Sequence, residues 1–529
     1  MAEKRQNFLS GAATLAAGVA VVKLISALYK IPLGNLIGNV GMAHFNVAYA
    51  LYGLLLTLST SGLPVALSRL VSAADAQGRG NQVRKIFSSS LLLFLLLGAA
   101  GMGVMLFGAD WYAAGQGDSM AGLSIRALAP AVLCVCVIAA VRGYTQGLGN
   151  MRPTAVSQII EAVGKLLIGL ALTWYLLRRG ADLAVASAAA IFGVTVGTVV
   201  TVVYLGLWLT RHKRRGRFVD SPDGSRPILK RVLSIGIPVT LGASAMSIIT
   251  VVDQRVILNQ LQNALGYSEE VATALYGEYS FAMNLFNLPS SFMAPLTNSL
   301  IPAVSVALVQ RNAKRSQAIV DSAFRVVALL ALPAGIGLSV LAEPILLLLY
   351  PMQAETALAA APHLQWLGIA SFFVCLMLLT NGILQAHGRE RIPVYTMILG
   401  GLVKVLLNYV LIAQPALGIR GAGISTLCCY LVIALANCIC VSRTLGHAPR
   451  YLHLFFRPLL ASGLMGVSAW SSFALFSRLT DGSRVAVLLA IGFAVAVYAV
   501  LVVGLRLITR EDLELVPKGA KLAKILRLR

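Results

Sequence analysis

The chain has 529 residues, 58% of them hydrophobic and only 12% charged, with a formal net charge of +23 and a mean hydropathy of +0.81. A soluble domain carries about 25% charged residues, so a water-soluble globular class is excluded. The apolar residues fall into runs of about 20, the helix length that crosses ~30 Å of hydrocarbon.

Fourteen such runs are expected, at roughly 9–30, 45–70, 86–108, 120–142, 153–177, 181–210, 231–260, 272–300, 318–342, 360–385, 393–413, 418–442, 454–477 and 484–508. The first follows a short basic flank, Met1–Phe8, with no small-residue cleavage site, and Lys23 interrupts it; it reads as a spanning helix. The second ends in SGLPVALSRL. Between the fourth and fifth lies VRGYTQGLGNMRP, and between the tenth and eleventh TNGILQAHGRERIP. Gly143, Gln146, Gly149 and Lys165 thus recur at the spacing of Gly382, Gln385, Gly388 and Lys404. Pro64 falls on Pro302, Gly180 on Gly418 and Ser187 on Ser425 at nearly the same offset. This pattern predicts an all-α polytopic membrane protein of two six-helix repeats, residues 1–225 and 226–445, followed by a two-helix extension with a basic tail, 446–529. Six is even, so both repeats enter the membrane in the same direction, related by a pseudo-two-fold along the membrane normal.

Basic residues concentrate in alternate connecting segments: Arg211–Arg217, the Arg311/Lys314/Arg315 loop and the tail Arg510–Arg529. That asymmetry places both termini in the cytoplasm and suits contact with anionic membrane lipids, not nucleic acid. The tail interleaves Lys518, Lys521, Lys524 and Arg527 with Leu522, Ile525 and Leu526, as an amphipathic surface helix would. The seven cysteines all fall in apolar runs and read as packing residues. No phosphate loop and no zinc-protease motif is present, so neither a cofactor nor a metal site nor enzymatic activity is expected.

Ionisable residues inside spanning helices cost about 2.5–3.5 kcal/mol each on insertion scales and tend to face an interior cavity. Here they are Lys23, Arg126, Glu161, Lys165, Asp253, Arg255, Glu278 and Lys404. Lys23, Arg255, Lys404, Lys165 and Arg126 are the candidate substrate contacts, and Asp253, Glu161 and Glu278 the candidate coupling or gating carboxylates. Glu161 and Lys165, four apart, can also pair with each other, and Arg126 lies near enough to a helix end to snorkel. The cations outnumber the anions, a bias that suits an anionic substrate if the groups converge. Pro64, Pro238, Pro289, Pro295, Pro302 and Pro333 mark kinks.

GLPVALSRLVSAADAQGRGNQVRKIF, VRGYTQGLGNMRPTAVSQIIEAVGK and FNLPSSFMAPLTNSLIPAVS resemble the stage V sporulation protein B / polysaccharide transporter family, within the superfamily of multidrug, oligosaccharidyl-lipid and polysaccharide exporters. The resemblance covers essentially the whole chain. It implies V-shaped six-helix lobes, a lipid-tail groove formed by the last two helices, and flipping of an undecaprenyl-pyrophosphate-linked saccharide such as lipid II. It also implies a cavity-facing cation at Lys23, with Lys30 near a second such position; lysine stands there where arginine is usual, and the cavity arginine of the second helix has no counterpart.

The expected function is a monomeric secondary-active flippase for a lipid-linked cell-envelope saccharide in the bacterial cytoplasmic membrane, working by alternating access and coupled to the membrane potential or to a proton or sodium gradient. A cation-coupled multidrug exporter of the same superfamily is the alternative, and a non-transporting scaffold for envelope synthesis a third reading.

Overall fold

The computed structural model describes residues 2–212, 219–310, 313–445, 449–480, 484–505 and 507, with the side chains of 2–17, 20, 23, 24, 27, 242, 292, 294–303, 305–309, 313 and 314 excepted. The tail 510–529, most of the 211–217 cluster, Arg311 and Lys314's side chain therefore lie outside the described residues, as does the side chain of Lys23. Described residues form helices and turns only. Eleven helices are long and apolar enough to cross a membrane, or twelve when the bent pair Ser225–Leu241 and Ala243–Ala264 counts as one span.

The chain runs α1 (Ala2–Thr60), α2 (Leu63–Ala76), α3 (Gly80–Phe107), α4 (Ala109–Gln116), α5 (Gly122–Gly147), α6 (Arg152–Arg178), α7 (Leu183–Arg211), α8 (Ser225–Asn259), α9 (Glu269–Val309), α10 (Ala313–Val340), α11 (Ala342–Leu349), α12 (Ala354–Ala386), α13 (Arg391–Ile412), α14 (Arg420–Leu445), α15 (Tyr451–Leu479) and α16 (Arg484–Gly504). The 59 residues of α1 are two helices joined at Gly38, whose φ of 65° and ψ of −166° lie in a region open essentially to glycine alone. α8 bends by 45° a few residues beyond Pro238, whose ring removes a backbone bond and clashes with the preceding turn.

The repeat seen in the sequence is a repeat of structure. Gly149 and Gly388 have φ of 78° and 72°. Each closes the helix before it with the same pair of bonds: Gly149 N–H to Gln146 O and Asn150 N–H to Thr145 O, then Gly388 N–H to Gln385 O and Arg389 N–H to Leu384 O, all 2.9 Å. This left-handed cap satisfies the orphan carbonyls of a helix end and turns α5 tightly into α6, and α12 into α13. Gly180 and Gly418, also matched in sequence, have positive φ too. The short helices α4 and α11 follow α3 and α10 in the same places.

Packing divides the chain into two compact units, Met1–Gly277 and Glu278–Arg529. The boundary near 225 expected from sequence follows the repeat. The packing boundary falls later because α8 lies against α1, α2 and α3. Ser247 meets Thr57 at 3.0 Å, and Thr240 Oγ1 accepts from Gly62 N–H. In the second unit α15 packs on α10 and on α16, and Tyr498 of α16 donates to Leu329 O, so the two-helix extension is part of that unit.

The segment entering α8 is stapled to the α2–α3 turn. Asp220 accepts from Asn81 N–H and Gln82 N–H at 2.9 and 2.8 Å, capping α3. Asp223 receives Gln82 Nε2 and Arg79, and Arg79 also donates to Ser221 O.

Gly149→Ala places a Cβ in the left-handed region at a cost of about 1–2 kcal/mol, lowering the thermal midpoint in detergent by about 2–4 °C. Gly53→Ala, in open space on a helix, leaves it unchanged or raises it. A second expectation concerns pH. Burial works to raise the Asp220 carboxyl, but hydrogen bonds from Asn81, Gln82 and its own backbone, with the charge of Arg79, hold it below the ordinary aspartate value of 3.8. Its contribution is therefore complete above that value and is lost as pH falls through the depressed one. Hydrogen exchange at the Asn81 and Gln82 amides should show protection at about pH 6 that disappears in acid. In Asp220→Ala the protection is absent at both; equal protection in the two proteins would refute the staple.

Candidate functional site

α6 and α7 meet through glycines. A methyl added at Gly193 would sit 2.4 Å from Gly169, and one at Gly164 2.8 Å from Gly197; glycine lets the backbones approach this closely. The same seam admits Tyr29, because a methyl at Gly169 would lie 3.1 Å from the Tyr29 hydroxyl. That hydroxyl donates to Ala190 O at 2.9 Å, which fixes the ring. Tyr49, on the other arm of α1, stacks on Phe45 at 5.5 Å.

Lys165 enters between these two rings. Its Nζ lies 4.7 Å from the centroid of Tyr29 and 4.7 Å from that of Tyr49, and 3.4 Å from the Tyr49 hydroxyl. The residue is 8% exposed. A desolvated ammonium over a ring face gains about 2 kcal/mol or more, the scale of its insertion cost.

Beside it lies a cavity of ≈ 480 Å³, walled by α1, α2, α5, α6 and α7. Arg142 reaches into it from α5, donating through Nε to Ser157 Oγ at 2.9 Å and through NH2 to Glu161 at 3.2 Å. Their side chains are 16% and 25% exposed. Gln146 Nε2 bonds Thr154, and Gln158, Tyr52, Ser26 and Thr60 add to the polar lining. Among the described residues lining it, the cavity has two cations and one carboxylate, a formal surplus of positive charge.

Of the eight residues expected from sequence, the cavity unites Lys165 and Glu161. Of the two readings open for these residues, a mutual pair is not what forms: Glu161 pairs with Arg142, and Lys165 takes the aromatic cage. Arg126 is half-exposed and paired with Asp110 of α4, away from the cavity. Arg255 is exposed on α8, and Asp253 beside it is buried and already engaged. Glu278 is half-buried on α9; Lys404 is half-buried on α13 and makes an interaction there. The side chain of Lys23 lies outside the described residues. Arg142 was missed, although the sequence held a signal. In an antiparallel pair turning between Gly149 and Asn150, residues equidistant from the turn face each other, which puts Arg142 opposite Ser157. Also missed was a buried pair of the first unit, His44 Nδ1 with Asp118 at 2.7 Å.

At the positions matching Arg142 and Glu161 the second unit has Asn381 and Gly400. Asn381 there accepts from Asn437, which also bonds Thr380 and Thr396, a neutral network. The second unit has instead an apolar cavity of ≈ 450 Å³ walled by α9, α10, α11, α15 and α16, with Pro289, Leu330, Met465 and Val495 among its lining. The cysteines are all free, and the described residues hold no group of three potential metal ligands.

Residues 8–308 match the model of the family described as polysaccharide biosynthesis protein, and residues 271–410 match the MatE model. Three Bacillus subtilis proteins are similar along most of their length. The membrane protein YabM is 28% identical over 99% of this chain and 98% of its own. Stage V sporulation protein B is 26% identical over 97% and 98%, and the lipid II flippase MurJ 25% over 87% and 88%. Among solved structures, an inward-facing multidrug resistance MATE transporter of the MOP superfamily superposes with a TM-score of 0.66 at 18% identity, covering 81% of this chain and 98% of that one. The fold is that of these transporters.

Removing one partner of a buried ion pair costs about 3–5 kcal/mol; with Glu161 a quarter exposed, solvent reduces this to about 1–3 kcal/mol. Glu161→Gln and Arg142→Gln should each lower the unfolding midpoint, and the double variant should lose less than the sum of the two. Strict additivity would show that the pair does not couple.

Proposed function

Since the chain belongs to the polysaccharide biosynthesis protein family, we propose that it is a secondary-active flippase for a lipid-linked, diphosphate-bearing saccharide of the cell envelope. The observation that carries this reading is the cavity of the first unit, where Lys165 and Arg142 face a single carboxylate, Glu161. A diphosphate placed there meets an ammonium and a guanidinium, charge-assisted donors about twice as strong as neutral ones. Glu161 holds Arg142 in the absence of substrate and competes with the phosphate for it. Protonation of that carboxylate, or a cation bound to it, would release Arg142, which supports Glu161 as the coupling group.

The apolar cavity against α15 and α16 suits the isoprenoid chain, and the similarity to stage V sporulation protein B and to the lipid II flippase points to the same substrate class. Fourteen spans, counting α1 as two and including α9, with both termini in the cytoplasm, complete the reading. Arg255, Lys404, Asp253 and Glu278 keep their proposed roles only as secondary sites, because none is among the residues lining this cavity; Lys23, whose side chain lies outside the described residues, keeps its proposed role as a substrate contact. A multidrug exporter of organic cations would need a carboxylate-dominated pocket, which the first-unit cavity is not.

Reconstituted in vesicles, the protein should move a fluorescent undecaprenyl-diphosphate saccharide between leaflets. Lys165→Met together with Arg142→Gln should lower the rate about 100-fold, two lost charge contacts at about 1.4 kcal/mol each. An undiminished rate at equal protein content would remove the assignment. Accumulation of cationic dyes in cells lacking the protein, with a normal envelope, would favour the exporter.

A further inference from the structure

Two polar atoms of the cavity are buried with no hydrogen-bond partner: the Tyr52 hydroxyl and Gln158 Oε1. Tyr52 is 1% exposed, and both side chains line the cavity. An unsatisfied buried polar group costs about 1–3 kcal/mol, and such groups are rare without a reason. Their neighbours are already committed: Arg142 to Ser157 and Glu161, and Gln146 to Thr154.

The helix positions order the cavity. Along α1, Tyr49 is followed one turn later by Tyr52, then by Leu56 and Thr60 on the same face. Along α6, running the other way, Lys165 is followed by Glu161, Gln158 and Thr154. Lys165 therefore stands at one end, Arg142 in the middle, bonded to Ser157 and Glu161, and Gln158, Thr154 and Thr60 line the cavity beyond it. Seven residues separate Lys165 from Gln158, about 10 Å of helix, a span that accommodates a diphosphate and an attached hexose. A ligand that satisfies both orphan atoms must offer an acceptor to Tyr52 and a donor to Gln158. A hydroxyl does both; a bare phosphate offers no donor to Gln158.

We propose that Tyr52 and Gln158 form a hydroxyl-recognising subsite for the saccharide of a glycosyl diphosphate whose phosphates lie toward Lys165 and Arg142. This rests on the diphosphate reading above and adds specificity for the sugar. The test compares two probes by calorimetry on the full chain in detergent: farnesyl diphosphate, and farnesyl diphosphate carrying N-acetylglucosamine. Tyr52→Phe and Gln158→Leu should each weaken the sugar-bearing probe by about 5–20-fold, the value of one hydrogen bond, and leave farnesyl diphosphate within about twofold. Lys165→Met should weaken both probes. Tyr52→Phe should not lower the unfolding midpoint, because the hydroxyl it removes has no protein partner. If both variants bind the sugar-bearing probe as wild type does, the two atoms serve water only and the subsite is refuted, while a Lys165→Met effect would still uphold the diphosphate site. If wild type binds neither probe, the diphosphate reading fails and the subsite fails with it.

Discussion

An ammonium group buried among apolar helices must find negative potential, and the first unit is built around supplying it to Lys165. Among the described residues no carboxylate forms an ion pair with it. The negative faces of Tyr29 and Tyr49 take that part, and several otherwise separate features serve their placement. The glycine-only conformation of Gly38 folds α1 back, which puts the two tyrosines on facing arms. The glycines of α6 and α7 leave room for the Tyr29 ring and bring Ala190 O within reach of its hydroxyl. With Lys165 satisfied this way, Glu161 is free to hold Arg142, and the cavity keeps a positive surplus.

The two repeats share a backbone and differ in chemistry. Their turn glycines adopt the same left-handed conformation and close the preceding helices with the same bonds, because tight antiparallel turns between long helices have few solutions. Side chains are not bound by that constraint. Where the first unit has Arg142 and Glu161, the second has Asn381 and Gly400, and its neutral network around Asn437 asks for no counter-ion. A duplicated scaffold has thus kept its turn geometry while the Arg142–Glu161 pair of the first copy has neutral residues at the matching positions of the second. The other copy carries the apolar cavity beside α15 and α16.

Much of the fold was legible in the sequence, since apolar runs, glycine spacing and proline positions act through backbone geometry and each leaves a local mark. Gly149, Gly388, Gly180 and Gly418 were aligned by spacing alone, and all four have positive φ. The site was less legible. Glu161 and Lys165 are one helical turn apart, and that spacing suggested a pair. The actual partner of Glu161 lies nineteen positions earlier, across a turn, and its burial depends on how α5 meets α6. Tyr29 and Tyr49 carry no local mark of their role, because only the folded α1 shows them facing one lysine. Arg126 lies half-exposed near its helix end, and its partner Asp110 sits on α4, a short helix that the apolar runs did not reveal.

The central claim is that the first-unit cavity receives an anion between Lys165 and Arg142. The most direct measurement is a cryo-electron-microscopy structure of the protein in lipid nanodiscs with an undecaprenyl-diphosphate saccharide. Phosphate density within about 4 Å of the Lys165 ammonium, the reach of a direct ion pair, with Glu161 displaced from Arg142, is the predicted result. Phosphate density elsewhere, with the Arg142–Glu161 pair intact and only water beside Lys165, would contradict the account.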